Sequence, residues 1–166
     1  MDVTLATILY QPDWQRTGPI LEQNLAAIDA CGLAGELLIL DNSPTPTTAA
    51  LGLAAREGRV RVLWNDGYNL YVAGALSRAV REARGRKLVY FCASHGLVHD
   101  ATWLADMLAP LEDSKVGAAG CILPCEFNRV AETPADIMEP QIHVQGGLWS
   151  ARLDILGEIG FGHRFP

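Results

Sequence analysis

The sequence predicts an α/β domain built on a mostly parallel sheet with helices on both faces. Short apolar runs alternate along the chain with longer segments of helical character, the pattern of successive βα units. Three of the runs end abruptly in polar, turn-forming residues: Asp41-Asn42-Ser43, Asn65-Asp66-Gly67-Tyr68-Asn69 and Ala93-Ser94-His95-Gly96. With 166 residues, 49% of them hydrophobic and 19% charged, the chain is long enough for one core and too apolar for disorder.

The elements follow in order. Residues 3–10 form the first strand, and Gln11-Pro12-Asp13-Trp14 its exit loop. Gly18-Pro19 announces a helix to about Ala30. A second strand covers residues 36–40, and a short helix covers 47–56 with Leu51, Leu53 and Ala54 as its apolar side. The strand at 60–64 precedes a helix rich in small residues from about Leu70 to Arg84. The strand at 88–92 is followed by a helix over 101–111, whose Trp103, Leu104, Met107, Leu108 and Leu111 share one stripe. A strand at 116–122, a loop over 128–140 containing Pro134 and Pro140, a strand at 143–150 broken by Gly146-Gly147, and a short helix at 153–158 complete the order.

Charge and composition exclude several classes of partner. A net charge of −6 and a pI near 5.1 disfavour nucleic acid, whose phosphates need a basic face. No apolar run approaches the ~20 residues needed to span a bilayer. Met1-Asp2-Val3 begins no charged-then-apolar secretory signal. Cys31, Cys92, Cys121 and Cys125 sit in or beside apolar runs, without the paired spacing of a zinc site. They read as reduced core thiols, and the chain as a cytoplasmic protein.

The run ending in Asp41-Asn42-Ser43 is the most informative segment. Ligands of open α/β sheets bind outside the carboxyl ends of the strands, so Asp41 stands where a carboxylate can accept from a base N–H or a ribose hydroxyl. The alternative is that these residues only end a strand and cap the next helix. The following motifs, Asn65-Asp66-Gly67-Tyr68-Asn69 before a helix and Cys92-Ala93-Ser94-His95 after a strand, keep the same arrangement. In their order and spacing the chain resembles the nucleotide-sugar-dependent glycosyltransferases of the GT-A fold, in particular the family 2 type, over nearly its whole length. The resemblance implies a Rossmann-like, mostly parallel sheet in a single domain over 1–166. The nucleotide-sugar-binding part would cover about 1–122 and the acceptor-side part about 123–166.

The resemblance also implies roles for residues. Tyr10 and Gln11 stand where the family frames a nucleobase, although Tyr10 also reads as an ordinary strand residue. Asp41 matches the base- or ribose-binding carboxylate. Gly67 permits the turn, and Asn69 caps a helix whose N-terminus faces a diphosphate. Arg78 lies two turns further on, within reach of the pyrophosphate, or else is an exposed helix arginine. Two departures stand out in this segment. Tyr71 occupies the usual second glycine, and Leu76-Ser77 replace an Asn-containing pair.

The larger departure is at Cys92-Ala93-Ser94-His95, where the family has Asp-x-Asp and its second acid binds a divalent metal. Hard Mg²⁺ or Mn²⁺ takes oxygen ligands, and no carboxylate is present in this segment. Ser94 and His95 are left to meet the phosphates. His95 falls near the second acid and is the one candidate metal ligand, better suited to Mn²⁺ than to Mg²⁺. Gly146, Gly147 and Trp149 resemble the segment bordering the acceptor and sugar pocket. The end of the chain, with Gly162-His163 replacing acids, stops before the family's Glu-Asp helix that carries the general base. His163 is the nearest substitute by position, and its ordinary pKa suits proton removal.

These readings imply a hexosyltransferase that moves a sugar from a nucleotide-diphospho-sugar to an unspecified acceptor with inversion. The alternative is a non-catalytic or partner-dependent glycosyltransferase-like subunit, and a homo- or hetero-oligomer is compatible with either. An unrelated nucleotide- or dinucleotide-binding α/β module is a third class, disfavoured because Gly-x-Gly-x-x-Gly is missing after the first strand.

Overall fold

A computed structural model describes residues 1–93, 102–120 and 148–158. Its strands are β1 (Val3–Leu9), β2 (Gly35–Asp41), β3 (Val60–Trp64), β4 (Lys87–Phe91), β5 (Ala118–Gly120) and β6 (Leu148–Arg152). Its helices are α1 (Trp14–Ala30), α2 (Thr48–Arg56), α3 (Tyr71–Glu82), α4 (Trp103–Leu108) and α5 (Leu153–Glu158), with a 3-10 turn at Ala109–Glu112. The strands form one sheet in the order β3-β2-β1-β4-β6-β5. β1 pairs in parallel with β2 and β4, and β2 with β3. β6 runs antiparallel to both β4 and β5. This is the mostly parallel α/β sheet that the alternation of runs predicted.

Continuous apolar runs appear because the central strands are covered on both faces. Odd-numbered residues of β1, β2 and β4, among them Leu5, Leu9, Leu37, Ile39, Val89 and Phe91, join α1, α2 and α4 in the larger core. Even-numbered Ala6, Leu38, Leu40 and Leu88 pack with Ala75 and Ala79 of α3 and Leu156 of α5 in a smaller one. The small residues of α3 let that helix lie close to the sheet.

Element boundaries differ from expectation for local reasons. The first helix opens a turn before Gly18-Pro19, because Asp13 caps it and its Oδ1 accepts from the Gln15 N–H at 3.1 Å. Pro19 then lies inside the helix, where it removes a single backbone donor. The strand expected at 3–10 ends at Leu9, leaving Tyr10 outside it. The helix expected over 101–111 becomes a 3-10 turn at Ala109, next to Pro110. Of the strand expected at 116–122, β5 begins only at Ala118. β6 continues to Arg152, two residues beyond the strand expected to end at Ser150. The loop expected over 128–140, together with Cys121 and Cys125, lies outside the described residues. Cys31 and Cys92 form no disulfide and lie at intermediate burial, and no helix among the described residues is long and apolar enough to cross a membrane.

The α3 face encloses a polar cluster. Glu36, 1% exposed, accepts from the Thr4 hydroxyl at 2.9 Å, the Arg84 N–H at 2.9 Å and Arg61 Nη1 at 3.0 Å. The Gly85 N–H donates to Thr4 Oγ1 at 2.9 Å. A Cβ on Gly85 would lie 2.5 Å from the backbone of Val3 and Thr4, so only glycine lets the chain enter β4 this close to β1. Gly85→Ala is expected to cost about 1–3 kcal/mol through forced backbone displacement. The cost is read as a fall in Tm of about 2–4 °C per kcal/mol. An unchanged Tm would mean that the β1–β4 approach relaxes freely.

Candidate functional site

The parallel strands β1, β2, β3 and β4 end at one edge of the sheet, the place where open α/β sheets hold ligands. Backbone bonds extend the ladder just past the strand ends. The Asn42 N–H donates to the Leu9 carbonyl at 2.9 Å, and the Asn65 N–H to the Asp41 carbonyl at 3.1 Å. Side chains then stitch the loops together. Ser43 Oγ accepts from the Gln11 N–H at 2.8 Å, and the Ser43 carbonyl accepts from the Trp64 indole N–H at 3.0 Å. At the end of β4, the Ala93 N–H donates to Thr7 Oγ1 at 3.3 Å.

A relay of asparagines crosses this edge. Arg78 Nη1 donates to the Trp64 carbonyl at 3.1 Å and to Asn65 Oδ1. Asn65 Nδ2 donates to Asn42 Oδ1, and Asn42 Nδ2 donates to Asn69 Oδ1 at 3.2 Å and to the Tyr71 carbonyl at 3.3 Å. Asn69 Oδ1 also accepts from the Tyr71 N–H at 2.8 Å. A carboxamide both donates and accepts, so three of them can link the ends of β2 and β3 to the start of α3. Asn42 and Asn65 are buried within the relay. By residue type both are ordinary turn formers, and the signal that marks them is an asparagine at two successive strand ends.

The turn after β3 is strained in a defined way. The Tyr68 N–H donates to the Asn65 carbonyl at 2.9 Å, and the two residues between, Asp66 and Gly67, have φ of 51° and 83°. Two positive φ values in succession are the type I′ pattern, for which Asp-Gly is a favoured pair. Among the described residues, the non-glycines with positive φ are Gln11, Asp66 and Tyr71, and all three lie at this edge. Each such conformation costs of order 1–3 kcal/mol and clusters at functional sites.

The expected site residues take the following places. Tyr10 and Gln11 are exposed in the loop after β1. Asp41 is fully buried: Oδ1 accepts from the Ser43 N–H at 3.0 Å and Oδ2 from the Thr47 N–H at 2.7 Å. It ends the strand and holds the entry to α2. One donor on each oxygen leaves further lone pairs of the carboxylate unfilled. Asn69 serves the start of α3 from one residue before the cap position, which Leu70 occupies. Arg78, expected to reach a pyrophosphate, is turned onto the end of β3. Trp149 packs half-buried against the smaller core, its ring 5.9 Å from that of Tyr90 and inclined by 35°. Burial pushes the Tyr90 phenol well above its ordinary pKa, and the neighbouring Cys92 thiol adds to the shift, so the phenol stays protonated at neutral pH. Ser94, His95, Gly146, Gly147 and His163 lie outside the described residues.

Among the described residues no three His, Cys, Asp or Glu side chains converge. Those residues do not by themselves fit a divalent metal. The ligand expected from sequence, His95, is not one of them.

Comparison with known proteins agrees with this geometry. The chain matches the family described as Glycosyl transferase family 2 over residues 16–159. Mannosyl-3-phosphoglycerate synthase from Rubrobacter xylanophilus is similar with a TM-score of 0.68 at 18% identity, over 94% of this chain and 55% of that one. The mannosyltransferase PcManGT from Pyrobaculum calidifontis, solved with GDP-Man and Mn²⁺, is similar with a TM-score of 0.66 at 21% identity, over 99% and 47%. S. aureus TarS residues 1–349, solved with UDP-GlcNAc, is similar with a TM-score of 0.65 at 12% identity, over 96% and 47%. The chain thus spans about half the length of these structures and shares their GT-A fold. No curated protein matches it.

Proposed function

The chain belongs to glycosyl transferase family 2, and on that premise we propose that it transfers a sugar from a nucleotide-diphospho-sugar to an acceptor hydroxyl with inversion. In this reaction the acceptor oxygen bonds to the anomeric carbon as the bond from that carbon to the diphosphate breaks. The acceptor proton passes to a base, and the negative charge leaves with the nucleoside diphosphate. The observation that best supports the reading is the polar edge at which β1, β2, β3 and β4 end together, tied by Asn42, Asn65 and Asn69.

Within this proposal residues 1–122 bind the donor and 123–166 face the acceptor. Tyr10, Gln11 and Asn69 border the nucleotide. Asp41 acts as a positioning residue through the Ser43–Thr47 loop it holds, and Arg78 through the end of β3. Ser94 and His95 attend the diphosphate, and Gly146, Gly147 and Trp149 the transferred sugar and acceptor. His163 is the proposed base. A divalent metal bound with His95 would add electrostatic stabilisation of the leaving group; no step above depends on it.

A thermal-shift panel of UDP-, GDP-, dTDP- and CDP-sugars, with Mn²⁺ or EDTA, tests the reading. A donor at one hundred times its Kd adds about 2.7 kcal/mol to stability, hence a rise in Tm of roughly 5–10 °C. No rise with any donor would sink the proposal. The replacement of Asp-x-Asp by Ala93-Ser94-His95 favours a second reading, a non-catalytic or partner-dependent subunit. Binding without turnover, in EDTA and in Mn²⁺ alike, would select it.

A further inference from the structure

Tyr71 combines features that a packing residue does not share. Its backbone sits at φ 52°, yet its side chain is 76% exposed. Both its backbone polar groups are held, the N–H by Asn69 at 2.8 Å and the carbonyl by Asn42 at 3.3 Å. A bulky residue at positive φ is strained, and the conformation persists only where surrounding bonds enforce it. Glycine would take this backbone freely. The chain instead keeps the strained backbone and carries an aromatic ring on it, in water, at the rim of the asparagine relay.

We propose that Tyr71 is a binding residue of the donor site, presenting an aromatic face on which the nucleobase of a nucleoside diphosphate stacks. This rests on the nucleotide-sugar reading above. The two bonds from Asn69 and Asn42 fix the backbone and so the direction of the Cα–Cβ bond before any ligand arrives, leaving only the side-chain torsions to be ordered on binding. Tyr68 is 72% exposed and Tyr10 is 53% exposed, so further aromatic faces stand at the ends of β1 and β3. Every base has a π-face, which makes aromatic stacking the chemistry suited to a nucleotide. A membrane surface fits this rim less well, because the exposed Asp66 and Asn69 interrupt it and the chain carries a net charge of −6.

The test is titration calorimetry with UDP, GDP, CDP and dTDP on the whole chain and on Tyr71→Gly, Tyr71→Asn and Tyr71→Phe, each also melted without ligand. Glycine and asparagine both tolerate a left-handed backbone and lack the ring. They are expected to raise Tm by about 2–4 °C and to weaken binding of the preferred nucleotide about tenfold, within the range for loss of one stacked base. Tyr71→Phe keeps the ring and is expected to bind within about twofold of the parent. Parent-like affinity in the glycine and asparagine variants would overturn the inference and leave the donor reading standing. A phenylalanine variant as weak as glycine would also overturn it, assigning the contact to the hydroxyl. A lower Tm in the glycine variant would refute the strain argument. Failure of the parent chain to bind any of the four nucleotides would overturn the donor reading and this inference together.

Discussion

Arg61→Ala is expected to destabilise the protein by about 3–5 kcal/mol, the usual cost of leaving one member of a buried ion pair without its partner. Arg61 Nη1 lies 3.0 Å from Glu36 Oε2, and the same nitrogen donates to the Glu82 carbonyl at 2.9 Å. The Glu36 side chain is only 2% exposed and that of Arg61 19%, so solvent cannot replace the guanidinium at little cost. A fall in Tm of roughly 10 °C is the expected reading. Adding Glu36→Gln to Arg61→Ala removes the stranded charge, while the new amide oxygen can still accept from Thr4 and Arg84. The double variant should therefore be more stable than Arg61→Ala alone. A single variant that melts within about 1 °C of the parent would show that water hydrates Glu36 and that the pair is not structural.

Asp41→Ala should be nearly as severe, at about 2–5 kcal/mol. Its carboxylate satisfies the backbone N–H groups of Ser43 and Thr47 at 3.0 and 2.7 Å. Each donor left buried and unpaired costs about 1–3 kcal/mol. Asparagine is not a conservative replacement here, because its amide keeps one acceptor oxygen and turns an NH₂ toward the other N–H. The damage would spread, since Ser43 also accepts from the Gln11 N–H and the Trp64 indole and so joins the ends of β1 and β3. Nucleotide affinity should fall together with Tm in both Asp41→Ala and Asp41→Asn. Loss of affinity with Tm intact would instead return Asp41 to direct contact with base or ribose. Thermal melts paired with nucleotide titration separate these outcomes.

The α/β class and the order of elements were legible in the sequence by itself. Strands covered on both faces are apolar over most of their length, so residues 36–40, 60–64 and 88–92 stand out as short apolar runs, interrupted only by Glu36 and Arg61, without tertiary information. The turn residues after them place the polar edge, because the carboxyl ends of parallel strands coincide. The resemblance drawn from those same motifs names the family that the match over residues 16–159 shows.

Only the tertiary structure decided what individual side chains do at that edge. Asp41 and Asn42 are adjacent, yet one faces α2 and is buried against backbone donors while the other turns into the asparagine relay. A pattern of residue types cannot distinguish an acid open to solvent from one buried against backbone donors. Asn65 and Asn42 are 23 residues apart, and their bond exists because β2 and β3 pair in register. Tyr71 shows the same limit. The sequence marks a tyrosine where a glycine is usual, but the chain could have relaxed the backbone there to suit it. A local bond from Asn69 and a long-range one from Asn42, at the end of β2, hold φ at 52°, and the second is a property of the fold rather than of local propensity.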